Sequence, residues 1–249
     1  MQQERMIKIT NYLSEHEMAS VAELSKLLGV SLVTIRKDLA QMEQDGILSK
    51  TRGGAVLSNK KSDSAQRIRI PAELERIADL AVEQIRPGDF IFLNSGMTCL
   101  ALAERVKNIS GVSVITNNVS AVSVLKPKVQ NIILLGGELE QTPDGLITTV
   151  DANVGSSLGS IFVNKAFSSG VGIDPEIGLT VNTMGSTYIY KYIPQLCSEW
   201  YVMMDEKKFN VKAFYQAASL KQISTLITDV TDPAALNRYQ EKGLTVLHP

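Results

Sequence analysis

Seven short apolar runs mark the last two-thirds of the chain: Phe90 to Leu93, Val112 to Ile115, Ile132 to Leu135, Ile161 to Phe167, Trp200 to Met204, Leu226-Ile227 and Leu244 to Leu247. Stretches of helical character separate them. Continuous apolar strands alternating with helices predict a parallel sheet with helices on both faces, in which ligands bind at the carboxyl ends of the strands. No run approaches the roughly 18–20 residues needed to cross a bilayer. The opening Met1-Gln2-Gln3-Glu4-Arg5 lacks the apolar core of a secretory signal. The expectation is a chain without a membrane span, held in the cytoplasm.

The first part of the chain has a different style. Residues 88–185 contain twelve of the seventeen glycines, whereas the first 52 residues contain only Gly29 and Gly46. At 249 residues, and roughly 100–200 residues per domain, there is room for a small domain and a medium one. Residues 58–66 are nearly free of apolar groups and read as a connection. The expected division is 1–58, a linker over 59–70, and 71–249.

In the small domain, apolar residues recur near helical spacing in three groups: Ile7, Ile9, Tyr12 and Leu13; then Val21, Leu24, Leu27 and Leu28; then Leu32, Ile35, Leu39 and Met42. Ser20 with Glu23 three residues on is a capping-box pattern, and Gly29 suits a C-terminal cap. The turn Leu28-Gly29-Val30-Ser31 is too short for helices two and three to lie side by side, so they cross steeply, as in a helix-turn-helix. Beyond Gly46, two short runs around Gly53-Gly54 read as a hairpin. Residues 46–70 carry Lys50, Arg52, Lys60, Lys61, Arg67 and Arg69 against Asp63 alone, a net charge of +5. Three helices followed by a basic hairpin make a winged helix. With Leu32, Ile35 and Leu39 facing the core, Ser31, Val33, Thr34, Arg36 and Lys37 are left outward, where a recognition helix presents groups to bases and phosphates of double-stranded DNA.

Scarce residue types narrow the chemistry. The two histidines, His16 and His248, stand near opposite ends, and Cys99 and Cys197 have no CxxC spacing. Neither a structural zinc site nor a histidine-centred triad is supplied. The cysteines read as small buried hydrophobes, and no cofactor or metal is expected.

The run Val21-Ala22-Glu23-Leu24, Leu28-Gly29-Val30-Ser31, Thr34-Ile35-Arg36-Lys37-Asp38-Leu39, Glu43, Gly46 and Arg52-Gly53-Gly54-Ala55 resembles the DNA-binding domain of DeoR-type transcriptional regulators. The resemblance implies a recognition helix from Leu32 to Gln44 and a wing from Lys50 to Val56, with Lys50 and Arg52 on DNA. Arg52 stands where the family usually has histidine. In the second domain, Ser95-Gly96-Met97-Thr98, Val114-Ile115-Thr116-Asn117, Leu134-Leu135-Gly136-Gly137, Gly172-Ile173-Asp174, Gly178-Leu179-Thr180 and Asp205 to Phe209 resemble the effector domain of the same regulators, itself similar in fold to ribose-5-phosphate isomerase.

The residues themselves place small or polar groups after four strands: Asn94 to Thr98, Thr116-Asn117, Gly136-Gly137, and Ser168 to Asp174. Strand, polar loop and helix start present free amides that suit a phosphate. The resemblance adds a phosphorylated sugar or related metabolite as effector. It places the phosphate on Ser95, Gly96, Met97 and Thr98, with Lys208 nearby; the other expected effector-binding residues are Thr116, Asn117, Gly136, Gly137, Gly170, Gly172, Asp174 and Lys191. The family commonly has Asp-Ser-Gly-Thr-Thr at the first loop, where this chain has Asn94 and Met97. Between Val181 and Lys191, where acidic residues are usual, stand Asn182, Thr183, Ser186, Tyr188 and Tyr190.

No carboxylate occurs from Lys165 to Ile173, which favours binding without turnover. The expected protein is a homo-oligomeric DNA-binding regulator, a repressor of a carbohydrate-utilisation operon. Two alternatives stand beside it: a sugar-phosphate isomerase with an accessory DNA-binding domain, and a regulator whose effector domain binds a protein.

Overall fold

In the computed structural model, residues 2–16, 18–44, 47–51, 53–57, 68–107 and 109–249 are described. The chain divides into two units, Met1–Ile68 and Arg69–Pro249. The first contains helices α1 (Gln2–His16), α2 (Val21–Leu28) and α3 (Leu32–Gln44), and strands β1 (Met18–Ser20), β2 (Leu48–Thr51) and β3 (Gly54–Leu57). Ser20 and Glu23 form the capping box reciprocally, and Gly29 ends α2 at φ 64°, in the left-handed region. Strands β2 and β3 pair antiparallel, Thr51 opposite Gly54. Strand β1, absent from the sequence reading, adds to β3 with Ser20 opposite Gly54. A Cβ at Gly54 would lie 2.3 Å from the Ala19 carbonyl oxygen, so glycine is needed for this approach.

One expectation is corrected here. Leu32 does not face the core: it is 45% exposed, while Ile35, Asp38, Leu39 and Met42 are buried. Asp38 is inside because Arg5 of α1 meets it with two hydrogen bonds, Nε to Oδ2 at 2.8 Å and Nη2 to Oδ1 at 3.1 Å. Taking Asp38 into the buried stripe turns the helix toward that side, and at about 100° per residue Leu32 is tipped out.

The second unit starts with α4 (Ala72–Val82). Its main sheet is formed by β4 (Phe90–Leu93), β5 (Ser113–Thr116), β6 (Asn131–Leu134), β9 (Val163–Ser168), β12 (Cys197–Met204), β14 (Thr225–Thr228) and β15 (Thr245–Leu247). These are the seven apolar runs. Every pairing is parallel, in the order β15-β14-β12-β9-β4-β5-β6. Trp200, Tyr201, Val202, Met203 and Met204 are all buried; since successive strand residues face opposite sides, both faces are covered. Trp200 also donates from Nε1 to Ser168 Oγ at 2.8 Å, so its polar edge is satisfied in the core.

The order runs outward from β4 in both directions: β5 and β6 to one side, then back across to β9 and beyond. The reversal lies between β4 and β9, where open α/β sheets form their binding crevice. Helices α5 (Met97–Arg105) and α6 (Val119–Leu125) follow β4 and β5. Two smaller antiparallel pieces, not foreseen from sequence, adjoin the carboxyl side: the hairpin β7 (Glu138–Gln141) and β8 (Ile147–Val150), and the sheet of β10 (Gly172–Asp174), β11 (Gly178–Val181) and β13 (Tyr215–Ala218). Helices α7 (Val154–Leu158), α8 (Met184–Tyr190), α9 (Ile193–Leu196) and α10 (Pro233–Gln240) complete the unit. Among the described residues no helix is long and apolar enough to cross a membrane.

Candidate functional site

On α3 the residues singled out from sequence divide by environment. Val33, Arg36 and Lys37 are exposed, and among the described residues no carboxylate pairs with Arg36 or Lys37. Ser31 accepts from the Thr34 amide at 3.2 Å and meets the Thr34 hydroxyl at 2.9 Å, so both side chains are also used in starting the helix. Lys50 lies across from the end of α3. Its ammonium is 3.4 Å from Glu43, and its backbone N–H donates to Glu43 at 2.9 Å. That backbone hydrogen bond, assisted by the Lys50 charge and opposed by partial burial, holds the Glu43 carboxyl below its usual range. Arg52, Gly46 and the basic residues Lys60, Lys61 and Arg67 lie outside the described residues.

In the larger unit a cavity of about 330 Å³ opens at the β4/β9 reversal. Of the residues expected there, Ser95, Gly96, Met97, Asn117, Gly136, Gly170 and Lys208 wall it. Gly96 adopts φ 115°, which L side chains rarely take, and turns the chain from β4 into α5. No side chain caps that helix start, leaving first-turn N–H groups and the positive end of the dipole available to an anion. Lys208 reaches the same region from the segment after β12; its Nζ donates to Ser169 Oγ at 3.1 Å and stands 3.5 Å from Asp205. Tyr190 donates its hydroxyl to the Ser169 carbonyl, and its burial pushes the phenol far up. Cys99, one turn into α5, is fully buried; burial pushes its thiol up to about 12, although the Lys208 charge acts the other way.

The remaining expected residues lie outside the cavity wall. Thr98 is buried behind the loop with its hydroxyl 3.4 Å from Ser169 Oγ. Thr116 donates to the Leu93 carbonyl at 2.6 Å, joining β5 to β4. Gly137 packs against the Val150 carbonyl and Gly172 against Val211, where a Cβ would have no room. Asp174 accepts from the amides of Glu176 and Ile177 and pairs with Lys212 at 3.4 Å. Lys191 is exposed, its ammonium 5.8 Å from the Tyr188 ring centroid.

Sequence reasoning did not assign the residues that β8, the β7–β8 hairpin and the start of α8 bring to the wall: Glu140, Thr148, Thr149, Asp151, Asn182, Thr183 and Ser186. A tract of small polar residues after an apolar strand was the available signal at 182–186. Nothing local marks a hairpin that folds back over a strand end.

A winged helix-turn-helix joined to an α/β unit with a polar crevice at its strand reversal defines a ligand-responsive DNA-binding regulator. Residues 5–61 match the DeoR-like helix-turn-helix domain and residues 71–230 the DeoR C terminal sensor domain. The chain belongs to the DeoR family of transcriptional regulators. It is 32% identical over 233 residues to the HTH-type transcriptional repressor GlcR of Bacillus subtilis, covering 92% of this chain and 88% of that one. It is 30% identical over 244 residues to the lactose phosphotransferase system repressor of Streptococcus mutans, covering 95% of each. A partial structural likeness, to ribose 5-phosphate isomerase from Plasmodium falciparum, spans 55% of this chain and 52% of that one at 17% identity and a TM-score of 0.39. The family is one of regulators, and the isomerase alternative is set aside on that ground.

Proposed function

We propose that this chain represses a carbohydrate-utilisation operon in the cytoplasm as a homo-oligomer, that α3 reads the operator, and that a phosphorylated sugar in the cavity controls it. Arg36 and Lys37 are the charged reading residues, with Val33 and Thr34 beside them and Lys50 and Arg52 on the wing. The observation that carries the effector assignment is the meeting of Gly96, the uncapped start of α5 and Lys208 at one cavity wall. These are backbone donors and a cation arranged for a phosphate. The hydroxyl and amide groups around them match a sugar.

A thermal-shift panel of sugar phosphates tests this reading, because a ligand that binds only the folded state stabilises it by about 2.7 kcal/mol at a hundred times its Kd. A concentration-dependent rise with at least one sugar phosphate, absent with the parent sugar, is expected. A folded protein that shifts with none would overturn the effector reading and favour a protein partner.

A further inference from the structure

We infer that α4 couples the effector cavity to DNA binding: ion pairs tie this one helix to both elements proposed to hold the phosphate, and Glu73, Glu75, Arg76 and Asp79 are its positioning residues. This rests on the sugar-phosphate reading above and specifies how the same cavity regulates.

The place of α4 in the chain is the first observation. Only Arg69, Ile70 and Pro71 separate it from the end of the first unit at Ile68. Pro71 stands at φ −62°, locked there by its ring, and its carbonyl accepts from the amides of Leu74 and Glu75 at 3.0 and 3.2 Å. Ile70, before a proline, is held to extended backbone. A displacement of α4 thus reaches the boundary across three residues, two of them restricted.

The second observation is where its charges go. Leu74, Ile77, Ala78, Ala81 and Val82 form the buried face, and all four charged residues of the helix are ion-paired. Glu75 and Asp79 hold Arg105 at 3.1 and 2.7 Å; Arg105 is in the last turn of α5, whose first turn is the proposed phosphate site. Glu73 holds Lys207 at 2.7 Å, and Lys207 precedes Lys208 in the single 3-10 turn Glu206–Lys208. Arg76 pairs at 3.2 Å with Asp229, whose side chain is 9% exposed. The other oxygen of Asp229 accepts from the Glu206 backbone N–H at 3.2 Å, at the start of that same turn. Of the eight ion pairs among the described residues of the larger unit, four are on α4, so these links are concentrated there rather than scattered.

A phosphate at the start of α5 competes for Lys208, which otherwise stands 3.1 Å from Ser169 and 3.5 Å from Asp205. A dianion with several acceptor oxygens draws the ammonium to itself. Lys207 and Glu206 follow through the backbone, which displaces the partners of Glu73 and Asp229. The same phosphate engages α5, which Arg105 ties to Glu75 and Asp79. Two elements closing on one ligand therefore act on successive turns of one helix, and α4 takes a different preferred position with the phosphate than without it. The free-energy difference between those positions is the coupling to DNA binding. One exposed ion pair contributes little; the set acts together because all four are on one rigid element.

The test uses the full chain and the sugar phosphate that gives the largest thermal shift. Its affinity for the free protein is measured by calorimetry, and the DNA Kd with and without it by anisotropy on a fragment selected by the wild type from a random pool. Glu73→Lys, which turns attraction to Lys207 into repulsion, should leave both separate affinities within about twofold, while the factor by which the sugar phosphate changes the DNA Kd falls about threefold, the scale of one exposed ion pair. Adding Asp229→Asn, which keeps an acceptor for the Glu206 amide but gives up the charge facing Arg76, should deepen that fall to about tenfold. Adding Lys207→Glu to Glu73→Lys should restore the wild-type factor. The buried face of α4 is untouched and exposed pairs add little to stability, so the variants retain the fold; a merely structural role would lower the thermal midpoint and leave the factor alone. If Glu73→Lys with Asp229→Asn responds as the wild type does, or loses its response because the sugar phosphate no longer binds, the coupling role of α4 is overturned and the sugar-phosphate reading stands. If the wild type binds the sugar phosphate with no change in DNA Kd, the inference again falls alone. If no sugar phosphate binds the wild type, both fall.

Discussion

Asp174 shows how a residue can match a family pattern and yet serve the fold. Burial alone would raise its carboxyl, but the amides of Glu176 and Ile177 and the Lys212 ammonium outweigh it and hold the group below its usual range. A carboxyl depressed in the folded state stabilises above the unfolded value, about 3.9, and that contribution is lost as pH falls through the folded value. Asp174→Asn should therefore lower the thermal midpoint at pH 7 and leave it nearly unchanged at pH 2–3; an equal loss at both would refute the assignment. Cys99, pushed up to about 12 by burial, should resist a maleimide in the native protein and react only after unfolding. In the small unit, Leu39 is 1% exposed within the core formed with Ile9, Leu13 and Ile35. Leu39→Ala should cost about 2–5 kcal/mol by deleting buried surface and leaving a cavity, read by denaturant melts of that unit.

Elements carry the next level of the account. The start of α2 rests on the reciprocal Ser20–Glu23 cap, so Ser20→Ala should cost about 0.5–2 kcal/mol. Gly54→Ala should do worse by pushing β1 off β3, and would separate the two effects in the same melting assay. The inner strands of the main sheet were legible because a strand buried on both faces is apolar over most of its length, the edge strand β6 because its run is apolar although Ile133 and Leu134 are exposed, and the capped helices because Ser20, Glu23 and Gly29 act within one or two turns. Less was legible wherever partners are distant in sequence. Strand β1 has only three residues and owes its pairing to Gly54. The buried side of α3 depends on Arg5, thirty-three residues from Asp38. At the cavity, loops following parallel strands were found because topology brings their ends together. The β7–β8 hairpin and the Asn117–Thr148 contact, across thirty-one residues, leave no local pattern.

At the scale of the whole molecule, regulation requires that a ligand in one unit change the DNA affinity of the other, which happens only if it binds the DNA-competent and incompetent states unequally. Arg36→Ala or Lys37→Ala should weaken DNA binding and reduce its salt dependence without altering effector binding. Ser95→Asp, which sets a carboxylate on the loop proposed to hold the phosphate, should do the reverse. The decisive measurement is fluorescence anisotropy on a DNA fragment that the wild-type chain selects from a random pool, titrated with and without the sugar phosphate giving the largest thermal shift. The account predicts that the ligand changes the DNA Kd of the wild type by about 5–150-fold, the usual range of allosteric coupling, and that Ser95→Asp binds the fragment as the wild type does but no longer responds. A ligand that saturates the wild-type protein and leaves its DNA Kd unchanged would contradict it.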